Sequence, residues 1–333
     1  MILVTGGTGF LGRHLTARLD RLGLSHYAFG KRDGDLTRWD QAEAVFRAHR
    51  DATAIIHCAS YQAAGDFPAK HPGEQMRVNS LIHLHVLEAW RQHAPTAALI
   101  GIGSSCAYPA EAWPLTEDRF MDGEIHGSVY AYAFTKRLLW RAIQSYNDQY
   151  GLNGSCLIPA TMFGEHDDFH PDTAHVSGAL IGRFARAVRE GLPEVEVWGD
   201  GSQVREFMDV EDFVDAVLHV LPRIRCDLVN VGPGTGVTIR DLAEAIRHAT
   251  AYAGRVRFDA DRYVGIRAKY MDTAKLAGRY GWRVPKDLGP GIRRTVTWYL
   301  EHYEALRDLR KFSGAASGDF TTAVAATCRA GRD

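Results

Sequence analysis

The chain has almost no net charge, few cysteines and no long hydrophobic run. Its 333 residues carry 39 Lys and Arg against 40 Asp and Glu, a formal net charge of -1, and no basic run stands out. A surface that binds polyanions needs a basic footprint, so nucleic acid is excluded as a partner. The five cysteines, Cys58, Cys106, Cys156, Cys226 and Cys328, are odd in number and widely spaced. That suits neither a disulfide framework nor a zinc site, and a reducing cytosol fits them. No apolar stretch reaches bilayer-spanning length, and neither a basic segment nor an apolar leader precedes Ile2. The expectation is a cytoplasmic chain that binds no membrane.

What is present begins at once. Met1-Ile-Leu-Val-Thr-Gly-Gly-Thr-Gly-Phe-Leu-Gly12 runs a short apolar strand into glycines at 6, 9 and 12, and a helical pattern follows. With 33 glycines in the chain, that bare spacing arises about 0.3 times by chance, so the strand before it and the helix after it carry the signal. Glycines there let the backbone turn sharply and approach a pyrophosphate, and the helix offers unpaired N–H groups and its positive end. Gly6, Thr8, Gly9, Phe10, Leu11 and Gly12 are the expected cradle of a dinucleotide.

Apolar runs that read as buried strands recur at 2–5, 26–30, 54–58, 97–102 and 154–159, separated by helical patterns near 10–22, 38–49, 73–93 and 129–150. This alternation predicts an α/β fold with a Rossmann-like, doubly wound parallel sheet. After Pro159 the rhythm changes. A His-, Asp- and Gly-rich loop precedes a helix near 176–190 and a strand around 195–198, the start of a smaller α/β substrate lobe interleaved with the first. Residues 1–163 and 206–231 are assigned to the cofactor domain, 164–205 and 232–312 to the substrate lobe. Residues 313–333, rich in Ala, Gly, Ser and Thr, form a tail with too little large apolar content to demand packing.

The second strand ends in Phe29-Gly-Lys-Arg32. NAD-binding versions of this fold usually place a carboxylate there for the ribose 2′-OH, so two cations favour a 2′-phosphate and hence NADP(H). The alternative for Lys31 and Arg32 is a solvated turn pair. Asp35 and Leu36 would then flank the adenine. The fourth strand ends in Ile102-Gly-Ser-Ser-Cys-Ala-Tyr108, and a later helix carries Tyr132-Ala-Phe-Thr-Lys136, whose spacing stacks Tyr132 and Lys136 on one face. A ketone accepting hydride needs a proton at oxygen, which an unperturbed phenol gives up reluctantly. The ammonium of Lys136 lowers that cost, and Ser104 can hold the carbonyl oxygen.

Glycine loop, strand-end serine and Tyr-x-x-x-Lys in this order resemble the extended short-chain dehydrogenase/reductase family. Within it, Ser104 to Pro109, Tyr132 to Lys136, Gly164 to Pro171, Ala174-His-Val176 and Val197 to Phe207 are similar to the GDP-L-fucose synthases, which act as 3,5-epimerases and 4-reductases on a GDP-4-keto-6-deoxy-hexose. The resemblance implies that Ser104, Tyr132 and Lys136 serve reduction and that Cys106 and His175 form the acid/base pair of epimerisation. A 4-ketone acidifies C3 and C5, and inversion needs groups on opposite faces. It also implies cofactor contacts from Cys58, Ala59, Ser60, Lys136, Pro159, Met162 and His175. Substrate contacts are implied for Asn79, Ser105, Arg183, Trp198, Arg205 and Lys269. Each has a plainer reading as core or surface, and Cys106 as a small buried filler.

His166 and His170 could join Asp167 and Asp168 around a metal, but their spacing matches no helix-based ligand pair, so no metal is expected. The family implies a homodimer through a four-helix bundle of the helices near 73–93 and 129–150. Leu81, Leu84, Leu138 and Tyr146 would form its faces or else pack inward. Two other functions compete: an epimerase-only or reductase-only enzyme on a modified hexose or heptose, and a non-catalytic NADP-sensing regulator. The Tyr-Lys pair argues against the regulator. A 4,6-dehydratase is disfavoured because Cys106-Ala107 stands where those relatives carry Asp-Glu.

Overall fold

In a computed structural model that describes residues 1–65, 67–110, 114–262 and 267–309, the chain opens as strand β1 (Ile2–Thr5) and helix α1 (Phe10–Arg21). Strand β2 (His26–Phe29), helix α2 (Trp39–Ala48) and strand β3 (Ala54–His57) follow. A four-residue helix α3 (Phe67–Lys70) leads to the 22-residue α4 (Pro72–His93), whose proline at the start costs no hydrogen bond. Then come β4 (Ala98–Ile102), α5 (Tyr130–Tyr150) and β5 (Gly154–Pro159). α5 stops at Gly151, which takes the left-handed conformation open to glycine (φ 66°).

Beyond β5 the chain forms β6 (Thr161–Phe163), α6 (Val176–Glu190), β7 (Glu194–Trp198), β8 (Val204–Arg205), β9 (Phe207–Asp209) and α7 (Val210–Val220). β10 (Leu228–Val231), β11 (Val237–Thr238), α8 (Ile239–Ala249), β12 (Arg255–Asp259), β13 (Ala268–Lys269), α9 (Ala274–Tyr280), α10 (Gly289–Glu301) and α11 (Tyr303–Leu306) complete it.

The main sheet is six-stranded in the order β10-β5-β4-β3-β1-β2, with every pair parallel. Ile55, Ile56, Leu157 and Ile158 at its centre are fully buried, as continuous apolar strands under two helical layers must be. The strand order reverses between β1 and β3. In open α/β sheets the carboxyl ends at such a reversal leave a crevice, and here the ends of β1, β3 and β4 deliver the glycine loop, Cys58 and Ser104 to it.

Two apolar cores hold the molecule. The larger surrounds the main sheet; the smaller joins α6, β7, α8, α10 and α11 with Phe163 and Phe207. The chain passes between them repeatedly, as an interleaved lobe requires. One segment falls on the other side of the sequence boundary: Met271, Leu276, Tyr280 and Val284, numbered with the substrate lobe, pack in the main core. The reason lies on α9. Asp227, just before β10, takes Lys275 Nζ at 3.3 Å, Arg279 Nη1 at 3.1 Å and the Tyr280 hydroxyl at 2.6 Å, which fastens α9 beside the edge strand. β9 pairs with β6 instead of entering the main sheet. The proposed tail at 313–333, with Cys328, lies outside the described residues.

Candidate active site

At the glycine loop, Gly6 has φ +69°, and a Cβ there would lie 2.8 Å from the backbone of Ala59. A Cβ at Gly12 would stand 2.1 Å from the Gly6 carbonyl oxygen, so only glycine lets α1 approach β1 this closely. The Gly9 amide donates to that same carbonyl at 2.9 Å. No side chain caps the N-terminus of α1. This backbone cradle, which side chains would fill, fits a dinucleotide pyrophosphate.

The loop forms one wall of a cleft of about 590 Å³. Of the expected cofactor residues, Gly6, Thr8, Gly9, Phe10, Leu11, Gly12, Lys31, Asp35, Leu36, Cys58, Ala59, Ser60, Pro159 and Met162 line it. Arg32 is exposed and is not part of the lining, so of the two cations only Lys31 lines the cleft. The Asp35 carboxyl accepts from the Thr37 amide at 2.9 Å and hydroxyl at 2.7 Å. Burial pushes that carboxyl up, but Thr37, Lys31 and Arg38 outweigh it and hold it below its ordinary value. Arg13 also lines the cleft and donates from Nε to the Thr8 carbonyl at 2.8 Å. No motif singled it out.

Ser104, Ser105, Cys106, Tyr132, Lys136 and His175 all line the same cleft. The Ser104 hydroxyl accepts from the Cys106 amide at 3.2 Å, a cap that starts the turn carrying the thiol. Arg137 pins that turn from α5, donating to the Ala107 carbonyl at 2.7 Å and to Asp122 and Gly123. Tyr108, one residue beyond Ala107, is buried and donates to Asn230 of β10 at 2.7 Å. Serine and thiol are therefore set by groups on three elements.

Lys136 is buried, donates to the Ile102 carbonyl at 2.9 Å and lies 5.6 Å from the centre of the Tyr132 ring. Burial lowers its ammonium to about 8, against partial support from Cys156 and Cys58. The half-buried Tyr132 phenol is pushed up by burial and by the neighbouring Cys106, and pulled down by hydrogen bonds with Ser104 and Ser60. Beneath the site, Thr5 Oγ1 lies 2.7 Å from His57 Nδ1, and His57 Nε2 lies 2.8 Å from His83 Nδ1. Burial and the nearby Lys136 hold His57 down to about 3, and His83 falls well below its ordinary value for the same reasons.

Asn79, on α4, is bonded within the protein. It is fully buried, its amide nitrogen donates to the Tyr61 carbonyl at 2.9 Å and its oxygen accepts from the Tyr61 amide at 2.8 Å. It clamps the loop after β3. Arg183, Trp198, Arg205 and Lys269 are not among the residues that line the cleft. Arg183 sits 4.8 Å from the exposed Trp198 ring, with Arg262 5.4 Å from it. Arg205 and Lys269 are register partners of the parallel pair β8–β13, which places two cations side by side. Tyr146 of the expected dimer face turns inward and donates to Glu88 of α4 at 3.1 Å, while Leu84 is exposed. His166 takes a left-handed backbone (φ 64°) at the cleft wall, and burial lowers its ring to about 4. Among the described residues no group of three or more His, Cys, Asp or Glu is placed to hold a metal ion.

Residues 2–232 match the NAD dependent epimerase/dehydratase family. The chain belongs to that family. It is 32% identical over 307 residues to a probable GDP-L-fucose synthase 1 of Oryza sativa subsp. japonica, covering 90% of this chain and 92% of that one. It is 30% identical over 318 residues to the GDP-L-fucose synthase of Escherichia coli, covering 92% and 98%. A crystal structure of a GDP-L-fucose synthetase from Naegleria fowleri bound to NADP superposes with a TM-score of 0.83 at 26% identity, covering 92% of this chain and 96% of that one. The epimerase/dehydratase family match ends just beyond β10, so α9 and half of the buried residues of the smaller core, those on α8, α10 and α11 among them, lie outside it.

Proposed function

We propose that this chain is an NADPH-dependent epimerase/reductase that converts a GDP-4-keto-6-deoxy-hexose to a GDP-6-deoxy-L-hexose such as GDP-L-fucose. The observation that carries the reading is the convergence of a thiol, an imidazole, a phenol, a buried ammonium and a serine on one cleft with the glycine cradle. Relatives along nearly the whole chain that bear the name GDP-L-fucose synthase support the substrate class. NADP(H) is favoured by Lys31 at the cleft wall, by an Asp35 carboxylate already engaged by Thr37, and by the NADP-bound relative.

Bound NADPH supplies the hydride that reduces C4. The residues of the chain do the rest. Cys106 takes a proton from the carbon beside the ketone, leaving its electron pair in the enolate, and His175 returns a proton to the opposite face. Ser104 donates to the carbonyl oxygen. Tyr132 gives its phenolic proton to the oxygen as charge builds there, and the Lys136 ammonium makes the resulting phenolate less costly. Arg183, Trp198, Arg205, Lys269 and Ser105 hold the nucleotide sugar; a diphosphate lying across Arg205 and Lys269 would relieve two adjacent cations.

We assign the enzyme to the cytoplasm as a homodimer paired through α4 and α5. Support for the dimer comes from Leu84 on α4 and Tyr130, Phe134 and Tyr150 on α5, all large and exposed. Cys58, Cys106, Cys156 and Cys226 as free thiols support the compartment. No helix among the described residues is long and apolar enough to cross a membrane.

The test is incubation with NADPH and GDP-4-keto-6-deoxy-mannose in deuterated solvent, following absorbance, deuterium uptake and product stereochemistry. Cys106→Ser is expected to bind NADPH normally and to exchange substrate hydrogen slowly. Tyr132→Phe is expected to lose reduction by at least about a hundredfold and to retain exchange. NADPH oxidation with no deuterium uptake in the parent enzyme would leave a 4-reductase, and no turnover at all would end the reading.

A further inference from the structure

The loop that follows β3 reaches across the cleft. Gln62 Nε2 lies 3.2 Å from His175 Nε2. Both flanks of Gln62 are fixed. On one side Asn79 holds the amide and carbonyl of Tyr61. On the other, the Ala64 amide donates to the Thr173 carbonyl at 2.9 Å, and Gly65 (φ +64°) packs so tightly on Asp172 that a Cβ would stand 1.8 Å from its carbonyl oxygen. The side chain is thus delivered to His175 from two anchored points.

The contact is nitrogen to nitrogen, which fixes its polarity. An amide nitrogen only donates, so the ring nitrogen accepts and the hydrogen of the neutral ring sits on Nδ1. His175 also stands at the N-cap of α6, where the positive end of the helix disfavours imidazolium. A ring in that state holds no proton it can spare. Once Nε2 takes a proton from solvent it becomes a donor, and a half-turn of the Gln62 amide presents Oε1 to it. The charged ring can then pass its Nδ1 hydrogen to the enolate carbon and is left neutral with hydrogen on Nε2. A carboxylate at position 62 would suit only the charged ring, and an aliphatic side chain neither state.

We propose that Gln62 is the positioning residue for His175, its amide holding the resting ring as the Nδ1–H tautomer and turning over to follow the ring into its proton-donating form. The proposal rests on His175 as the proton donor of the epimerase reading. Among the described residues, the titratable groups that line the same cleft include Tyr61, Cys106, Tyr132, Lys136, His166, Asp167 and Asp168, with Asp172 on the loop before the ring.

The experiment titrates His175 by NMR in the full-length, NADP-bound protein labelled at histidine, comparing the parent with Gln62→Glu and Gln62→Leu. In Gln62→Glu the imidazole is expected to titrate about one unit higher or more, as a facing carboxylate stabilises the charged ring, and the acid limb of the deuterium-exchange profile should move with it. In Gln62→Leu the Nδ1–H tautomer should lose its excess and exchange should slow about tenfold, while NADPH binding persists. An unchanged midpoint and tautomer in both variants overturns the proposal. Shifted titrations in a protein that exchanges no substrate hydrogen would uphold the Gln62 coupling and reject the epimerase reading instead.

Discussion

Among the described residues Lys136 forms no ion pair, and burial lowers it to about 8. In the proposed mechanism its charge eases proton loss from Tyr132, so reduction should fall as pH rises through about 8, where the ammonium is lost. A pH–rate profile on a substrate already epimerised isolates that limb. Gly12 bears a different constraint. The atom in the way of a Cβ is backbone, 2.1 Å off, and cannot swing aside. Gly12→Ala should therefore lift α1 from β1, weaken NADPH binding at least about tenfold and cost about 2 kcal/mol of stability. Fluorescence titration and thermal melting would read both.

The motif residues were legible because their spacing is dictated by chemistry: glycines 6 and 12, Ser104, and Tyr132 with Lys136 all reach the cleft. Arg13 and Gln62 were not, since a single Arg on a helix and a single Gln in a loop carry no periodic or spacing signal. Asn79 was legible only in part. A helix asparagine near the site is consistent with touching substrate or with clamping a loop, and only its bonds to Tyr61 show the clamp.

At the scale of elements, the five strands and four helices of the first half lie within a residue or two of their apolar patterns, apart from the short α3. Fully buried strands leave few choices. The two- and three-residue strands β6, β8, β11 and β13 left no such trace, because pairs that short are selected by the parts they join. α1 and α7 show how elements from distant segments are held. Glu211 of α7 takes His14 Nδ1 at 2.5 Å, Arg18 at 3.1 Å and Arg21 at 3.1 Å, all from α1. The hydrogen bond from His14, then those from Arg18 and the charge of Arg21, hold its carboxyl at about 2 against the opposing effect of burial. Glu211→Gln should cost about 2 kcal/mol, discounted for partial exposure of the group. Chemical denaturation at pH 7 would measure it, and a loss below about 0.5 kcal/mol would show the cluster to be idle.

For the whole molecule, these groups predict a stability that declines in acid. Glu211 is depressed in the folded state, so its contribution is present above its ordinary value of 4.5 and fades as pH falls toward 2. His57 is depressed from 6.5 to about 3. An unfolded chain takes up its proton as pH drops below 6.5 while the folded one resists, so stability falls across that window too. His83 adds in the same direction. The raised carboxyls of Glu206, at about 7, and Asp212, at about 6, act with the opposite sign, so the histidine share is read as a difference: a His57→Phe, His83→Leu double variant should lose less stability than the parent between pH 6.5 and pH 4. Calorimetry across the range is the check.

Asp227 and α9 have a bearing on how the polypeptide is made. β10 emerges from the ribosome before the helix that covers it, and its partner groups, Lys275, Arg279 and Tyr280, lie some fifty residues downstream. A product cut after residue 232 would keep the glycine loop and Tyr132 yet present a bare sheet margin to the solvent. Such a fragment should self-associate, so the nucleotide-binding half is not a detachable module for engineering.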